Sequence, residues 1–198
     1  MLERKFRGVY QAVLVAPILK LCSDKLSPNK VTIFSGVAGI LVIPALVTGH
    51  LWLAVFFLLL SGYFDTLDGS LARLQDKTTQ IGSALDIVMD RFVEWVVVFA
   101  FYLVDGNRAV LCFFMLAANT ICITSFLVVG IFVQQNSHKS FFYHEGLMER
   151  AEAFIFFILM ILFPDSFTIL AVIYIFLVFL TAFLHLRFFY EWQQKHPT

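Results

Sequence analysis

Six long apolar segments, separated by short polar turns, constrain this chain more than any other feature of its sequence. An apolar segment of about 18 or more residues is long enough to cross the hydrocarbon core of a bilayer as a helix. The composition agrees, because 60% of the 198 residues are hydrophobic and only 14% are charged, whereas soluble domains carry about 25% charged residues. The sequence therefore predicts an all-α integral membrane protein.

The turns divide the chain into three parts of a single membrane-embedded domain, residues 1–198. An N-terminal amphipathic helix is expected over residues 1–26, a bundle of six transmembrane helices over 27–190, and a polar tail over 191–198. The length leaves no room for a separate soluble domain. The six predicted spans are residues 28–47, 51–76, 82–103, 108–133, 147–163 and 167–190.

The N-terminal segment is predicted to lie at the membrane interface. Its apolar residues share one helical face, and Arg4, Lys5 and Lys20 can reach lipid headgroups. A signal peptide is the alternative interpretation. Its apolar part would be short, would contain Pro17 and would be followed at once by a lysine, so the interfacial helix is favoured.

The distribution of basic residues predicts the orientation of the bundle. Of the 14 lysines and arginines, only Arg108 falls on the side of the loops near residues 49, 106 and 165. Loops rich in lysine and arginine face the cytoplasm. Both termini, with the loops near residues 77 and 140, are therefore expected to be cytoplasmic.

Composition also argues against two classes of function. The formal net charge of zero indicates no nucleic-acid partner. The cysteines Cys22, Cys112 and Cys122 are odd in number and lack the spacing of a metal site. They predict neither a disulfide framework nor a zinc centre.

Four carboxylates lie at the expected cytoplasmic ends of the second and third spans. Asp65 and Asp68 are three residues apart, and Asp86 and Asp90 are four apart, so each pair shares a helix face. Because a short link joins the two helices, we expect antiparallel neighbours whose pairs face each other. Carboxylates this close in an apolar setting are costly unless cations balance them. Oxygen ligands suit Mg²⁺ or Mn²⁺, and two such ions could bind a diphosphate and polarise a phosphoryl group.

The same stretch resembles the signature of the CDP-alcohol phosphotransferase family, also called class I CDP-alcohol phosphatidyltransferases. The matching residues are Asp65-x-x-Asp68-Gly69-x-x-Ala72-Arg73, then eight residues, then Gly82-x-x-x-Asp86-x-x-x-Asp90. Every signature position is occupied at the usual spacing. The start of the first span, Ser27-Pro28-Asn29-x-x-Thr32, and the six-helix plan are also similar to that family. The resemblance therefore covers nearly the whole chain.

This resemblance implies an enzyme of phospholipid biosynthesis. It would transfer a phosphatidyl or other substituted phosphate group from a CDP-linked lipid, expected to be CDP-diacylglycerol, to an alcohol hydroxyl with release of CMP. The resemblance implies that Asp65, Asp68, Asp86 and Asp90 bind two Mg²⁺ or Mn²⁺ ions and that Asp90 is also the general base. The donor would contact Asn29, Thr32, Gly69, Ala72, Arg73 and Thr79. A homodimer is implied too, and the segment from His138 to Glu149 resembles a bacterial subgroup, which implies the inner membrane.

The acceptor alcohol stays open. Family members that use a phosphorylated acceptor often carry a Ser-Tyr-x-Arg-x-Arg stretch on the fourth span, whereas residues 125–130 read SFLVVG, with no basic residue. A phosphorylated acceptor is therefore disfavoured, unless Lys139, Arg150 or Arg187 substitutes. These three are the candidate acceptor-binding residues. Each has a simpler interpretation, as a loop charge, a helix-end charge and a lipid-headgroup anchor respectively.

Three alternatives are left open by the residues themselves. An ion- or proton-coupled transporter also uses intramembrane carboxylates, although their clustering at one membrane face favours an enzyme. A catalytically inactive lipid-binding member is disfavoured, because no signature aspartate is missing. Glu94, one helical turn after Asp90, either supports the site or pairs with Arg91.

Overall fold

The computed structural model describes residues 26–135 and 146–195, together with Val15. Within these ranges the chain forms long α-helices, short 3-10 turns and no strand, which confirms the all-α prediction. The α-helices are α1 (Pro28–Val47), α2 (Leu51–Leu74), α3 (Gln80–Val104), α4 (Ala109–Gln135), α5 (Arg150–Leu162) and α6 (Phe167–Lys195). The predicted interfacial helix over residues 1–26 and the loop that carries Lys139 lie outside the described residues, apart from Val15 and Leu26.

Local signals set the start of α1 and α3. Ser27 is the N-cap of α1 and has extended backbone, and Pro28 occupies the first turn, where a helix does not need its missing N–H. Thr79 is the N-cap of α3, and its hydroxyl oxygen accepts the backbone N–H of Gly82 at 3.0 Å. That bond satisfies one of the free donors at the helix start.

The link between α2 and α3 lies two residues earlier in the chain than predicted. α2 ends at Leu74, two residues before the expected end, and Asp76 adopts a left-handed backbone with a φ of 51°. An α-helix cannot continue through this conformation. α3 begins at Gln80, two residues earlier than predicted.

Helix α5 is shorter than the predicted fifth span. It has 13 residues and begins at Arg150, not near residue 147. Before it, Glu149 has an extended backbone, which ends the helix there. The backbone N–H of Met148 donates to the Thr181 hydroxyl of α6 at 3.0 Å and holds the preceding segment against α6. At 1.5 Å per residue, α5 is about 20 Å long, against about 30 Å for a bilayer core.

Several helices are long and apolar enough to cross a membrane, and this chain is an integral membrane protein. Within the described ranges, these helices are α1, α2 and, each with its preceding 3-10 turn, α4 and α6. α5 has only 13 residues, too few to cross a bilayer as a helix. α3 is long enough, but Asp86, Asp90, Arg91 and Glu94 make it too charged to count among these helices. The six-span topology with cytoplasmic termini stays a prediction.

Helix α1 packs against both α2 and α3, whereas α2 and α3 barely contact each other. A Cβ atom on Gly39 of α1 would lie 2.9 Å from the buried Val93 side chain of α3. Small residues of this kind allow close approach of membrane helices. The expected direct packing of α2 on α3 is therefore largely replaced by packing of both helices on α1.

Candidate active site

Three of the four predicted metal ligands converge. Carboxylate oxygens of Asp65 and Asp68 on α2 and Asp86 on α3 all lie within 4.8 Å of one another. The spacing of three residues puts the first two on one face of α2, as the sequence predicted. This face of α2 lies opposite the first turns of α3, which carry Asp86.

The fourth carboxylate, Asp90, is joined to the cluster by a cation. The guanidinium group of Arg150, at the start of α5, forms ion pairs with both Asp65 and Asp90. The sequence suggested Arg150 as an acceptor-binding residue or as a helix-end charge. The structure places it between two predicted metal ligands, where it balances their charge.

The carboxylate cluster fits a divalent cation. Asp68 is only 4% exposed, and its Oδ2 atom is buried with no hydrogen-bond partner among the described residues. A buried carboxylate oxygen without a partner is costly, and a cation would satisfy it. A donor set made only of carboxylate oxygens suits Mg²⁺ or Mn²⁺ and not a metal that prefers sulfur or imidazole.

All six residues predicted to contact the donor line one small cavity of about 150 Å³. Asp68 and Asp86 line it too, so this cavity reaches the carboxylate cluster. Gly82 keeps it open, because a Cβ atom there would lie 3.0 Å from the Thr79 hydroxyl and 3.5 Å from Asn29 Oδ1. The cavity residues predicted from the sequence are Asn29, Thr32, Gly69, Ala72, Arg73 and Thr79.

A second cavity, of about 410 Å³, lies among α2, α3, α4, α5 and α6. Asp65, Asp86, Asp90 and Arg150 line it. Because Asp86 lines both cavities, the carboxylate cluster lies where they meet. Two compartments on a shared acidic centre can bring two substrates together.

A buried polar network forms one wall of the second cavity. Glu94 is 3% exposed and accepts hydrogen bonds from Arg91 at 2.8 Å and from Asn119 Nδ2 at 3.1 Å. The Tyr174 hydroxyl donates to Asn119 Oδ1 at 2.8 Å. Glu94 therefore pairs with Arg91, which is one of the two alternatives for this residue, and it also lines the cavity.

His185 of α6 and the segment before α5 form another part of the lining. The Ser125 hydroxyl and His185 Nδ1 are 3.1 Å apart. A Cβ atom on Gly146 would lie 2.5 Å from Thr181 Cγ2 and 3.5 Å from His185 Nε2, so only glycine fits without a shift.

Sequence reasoning missed Asn119, Tyr174 and His185. Each is a polar side chain within a long helix that is otherwise mostly apolar. A polar group in such a segment is costly and marks a functional site by default. That signal could have singled out Asn119 and His185, whereas tyrosines also occur commonly at membrane interfaces.

Of the other two acceptor candidates, the structure describes Arg187. Arg187 is exposed, pairs with Glu191 at 2.9 Å and lines neither of these two cavities. Lys139 lies outside the described residues. Their predicted contact with an acceptor stays a prediction.

Comparison with known proteins places this site in a family. The family model for CDP-alcohol phosphatidyltransferase matches residues 25–184. The chain therefore belongs to the CDP-alcohol phosphatidyltransferase family, and it is a transferase of phospholipid biosynthesis. The resemblance stated from the signature residues is thereby confirmed.

Two relatives align with this chain over different lengths. The inner membrane protein YnjF of Escherichia coli is 30% identical over 191 residues, 92% of each chain. The phosphatidylinositol phosphate synthase of Corynebacterium glutamicum is 33% identical over 156 residues, 72% of this chain and 66% of that protein.

Solved structures share the fold. The phosphatidylinositol phosphate synthase of Mycobacterium tuberculosis with CDP-DAG bound superposes with a TM-score of 0.72 at 18% identity, covering 89% of this chain and 94% of that one. A structure of the same enzyme with manganese and citrate gives a TM-score of 0.73, also at 18% identity, covering 89% of each chain.

Proposed function

We propose that the protein transfers a phosphatidyl group from CDP-diacylglycerol to the hydroxyl of an alcohol and releases CMP, with two divalent cations, Mg²⁺ or Mn²⁺. One observation carries the proposal. The six donor-type residues line one cavity together with Asp68 and Asp86, and a second cavity shares Asp86 with it.

The chain's residues divide the work between the two cavities. Asn29, Thr32 and Thr79 supply polar groups to the nucleotide portion of the donor, and Arg73 supplies positive charge to its phosphates. Gly69 and Ala72 keep the helix face low enough for the donor to approach it. When bound to the carboxylates, divalent cations supply charge neutralisation at the diphosphate.

Asp90 is proposed to act as general base. One of its carboxylate oxygens takes the proton of the acceptor hydroxyl, whose oxygen forms a bond to the phosphorus that carries diacylglycerol. The bond from that phosphorus to the oxygen shared with CMP breaks, and CMP leaves with the electron pair. Arg150 pairs with Asp90 and holds this carboxylate at the edge of the second cavity.

The membrane setting is proposed from the charge distribution. The apolar segments predict six spans. Arg108 lies on the opposite side from the other basic residues, which predicts that both termini and the active site face the cytoplasm. The likeness to an inner membrane protein of Escherichia coli supports a bacterial inner membrane. A homodimer is proposed on the family resemblance.

The test is metal-dependent release of CMP by purified protein in lipid nanodiscs. We expect CMP from CDP-diacylglycerol when Mg²⁺ or Mn²⁺ and a pool of polar alcohols are present, and none with EDTA. Asp90→Asn should lower turnover at least 100-fold, because general-base catalysis contributes about 10²- to 10⁴-fold, while donor binding persists. Asp105→Asn, which changes a carboxylate in the turn after α3, is the matched control.

Two outcomes would contradict the proposal. An Asp90→Asn variant with the turnover of the unmodified protein would exclude Asp90 as the base. Folded protein that binds metal but releases no CMP with any alcohol would favour the transporter alternative for the carboxylates. That alternative predicts uptake of ions or protons into vesicles.

A further inference from the structure

We infer that the acceptor is a small, uncharged alcohol with several hydroxyl groups, held by Glu94, Asn119 and Tyr174. The inference rests on the proposed function and names the substrate class of its second cavity. It follows from the size of that cavity, from the hydrogen-bonding groups of its wall and from its charge balance.

The cavity has the size of a small-molecule site. Its volume of about 410 Å³ is near the lower end of the range of roughly 300–1,000 Å³ that small-ligand pockets occupy. It is also polar in an otherwise apolar chain, because buried Glu94, Asn119 and His185 line it. A hydrocarbon alcohol could not bond to the hydrogen-bonding positions that Glu94 and Asn119 have beyond their mutual contact, at a cost in free energy.

The wall offers both donors and acceptors of hydrogen bonds. Asn119 Nδ2 uses one proton on Glu94 and has a second. The Tyr174 hydroxyl donates to Asn119 and keeps oxygen lone pairs that can accept. Glu94 receives two bonds and has further acceptor positions on its carboxylate. Adjacent hydroxyl groups, which each donate and accept, match such a mixed wall.

The charges of the site are already balanced without the acceptor. Two guanidinium groups line the cavity, and both pair with carboxylates: Arg91 with Glu94, and Arg150 with Asp65 and Asp90. No further arginine or lysine is among the described residues of the lining. The carboxylates of the two compartments are Asp65, Asp68, Asp86, Asp90, Glu94 and Glu149.

Arg73 and Lys77 of the donor cavity add two cations, so these six carboxylates exceed the four cationic side chains by two charges. Two divalent cations would then leave two positive charges, which the two ionised phosphates of the donor meet. A phosphorylated acceptor would add negative charge that the described lining has no remaining guanidinium or ammonium group to meet. An amine on the acceptor would compete with Arg91 for Glu94. Charge balance therefore favours an uncharged acceptor.

The first experiment compares matched acceptors with purified protein, CDP-diacylglycerol and Mn²⁺. The panel pairs glycerol with glycerol phosphate and inositol with inositol phosphate, and adds serine, ethanolamine and octanol. A polar metabolite extract, separated by ion exchange into uncharged, anionic and cationic fractions, covers alcohols outside the panel. We expect CMP release with an uncharged polyol at least ten times faster than with its phosphorylated partner.

The outcomes separate the two proposals. Faster release with a phosphorylated alcohol, an amino alcohol or octanol, or with the anionic or cationic fraction, overturns this inference and leaves the proposed function standing. No CMP release from any alcohol or fraction overturns the proposed function, and this inference with it.

The second experiment tests the wall. Asn119→Ala should raise the KM for the preferred polyol about tenfold or more, because it removes hydrogen bonds to the ligand and to Glu94. The KM for CDP-diacylglycerol should stay within twofold, which a general folding defect would not allow. Thr120→Ala is the matched control, since Thr120 is adjacent but exposed and bonds only its own helix.

A second pair of variants guards against loss of folding in Asn119→Ala. Tyr174→Phe removes one hydroxyl from the wall, and Tyr102→Phe removes one from an exposed position on α3. We expect a severalfold rise in the polyol KM for the first and no change for the second. Unchanged acceptor KM in both Asn119→Ala and Tyr174→Phe would overturn the assignment.

Discussion

At the scale of single residues, the site depends on which charges meet. Arg150 balances Asp65 and Asp90, and these three side chains are each only 16–21% exposed. Asp68 has a buried oxygen with no described partner. The guanidinium group of Arg150 therefore stabilises the centre, and carboxylate oxygens remain that could bind a metal.

Arg150→Gln tests this balance. Without divalent metal, we expect the free energy of unfolding to fall by about 1 to 3 kcal/mol, less than the 3–5 kcal/mol typical of broken pairs that are fully buried. Thermal unfolding with EDTA measures it. Arg187→Gln breaks an exposed pair of the same type and should change stability by less than about 1 kcal/mol. Equal unfolding temperatures for the two variants would show that Arg150 does not support the centre.

At the scale of helices, the approach of α1 to α3 positions the acidic residues. Gly36 and Gly39 of α1 face Met89 and Val93, just before and after Asp90. Met89 is flexible and half-buried, whereas Val93 is β-branched and fully buried. A methyl group at Gly36 can be accommodated by movement of a methionine, but one at Gly39 meets a stiff side chain.

Gly39→Ala should therefore destabilise the protein by about 1 to 3 kcal/mol, through overpacking. Gly36→Ala, the same change one helical turn away, should have little effect or even stabilise α1, because alanine is the better helix former. Thermal unfolding and Mn²⁺ affinity measure both, since a displaced α3 carries Asp86 and Asp90 with it. A Gly39→Ala protein as stable as Gly36→Ala would contradict this account of the α1–α3 contact.

At the scale of the whole molecule, α1, α2 and α3 build one compartment and α2 to α6 build the other, so α2 and α3 are common to both. The acidic centre lies where the two compartments meet. A ligand of this centre binds groups from both α2 and α3, so it should stabilise the native arrangement against unfolding.

Mn²⁺ is the simplest such ligand. At a concentration 100 times its Kd, we expect it to raise the free energy of unfolding by about 2.7 kcal/mol. Asp68→Asn should remove most of this gain, whereas Asp105→Asn, in an exposed turn, should keep it. Thermal unfolding across a Mn²⁺ titration measures the effect. An equal gain in both variants would place the metal elsewhere.

The sequence alone predicted the features that depend on local spacing and residue chemistry. Apolar segment length determined that the protein is helical and membrane-embedded, and the spacing of Asp65, Asp68 and Asp86 predicted that their carboxylates converge. The six donor-type residues, which the family resemblance implied, also line one cavity, where the start of α1 packs beside the end of α2 and the start of α3.

Only the tertiary structure decided how distant segments meet. The pairing of Arg150 with Asp65, of Asn119 with Glu94 and of Tyr174 with Asn119 joins positions that no local spacing relates. The start of α5 was decided in the same way, because the segment before it is bonded to α6 through the Met148 N–H and the Thr181 hydroxyl. Helical periodicity determines which face a side chain occupies, but the packing of whole helices determines what that face meets.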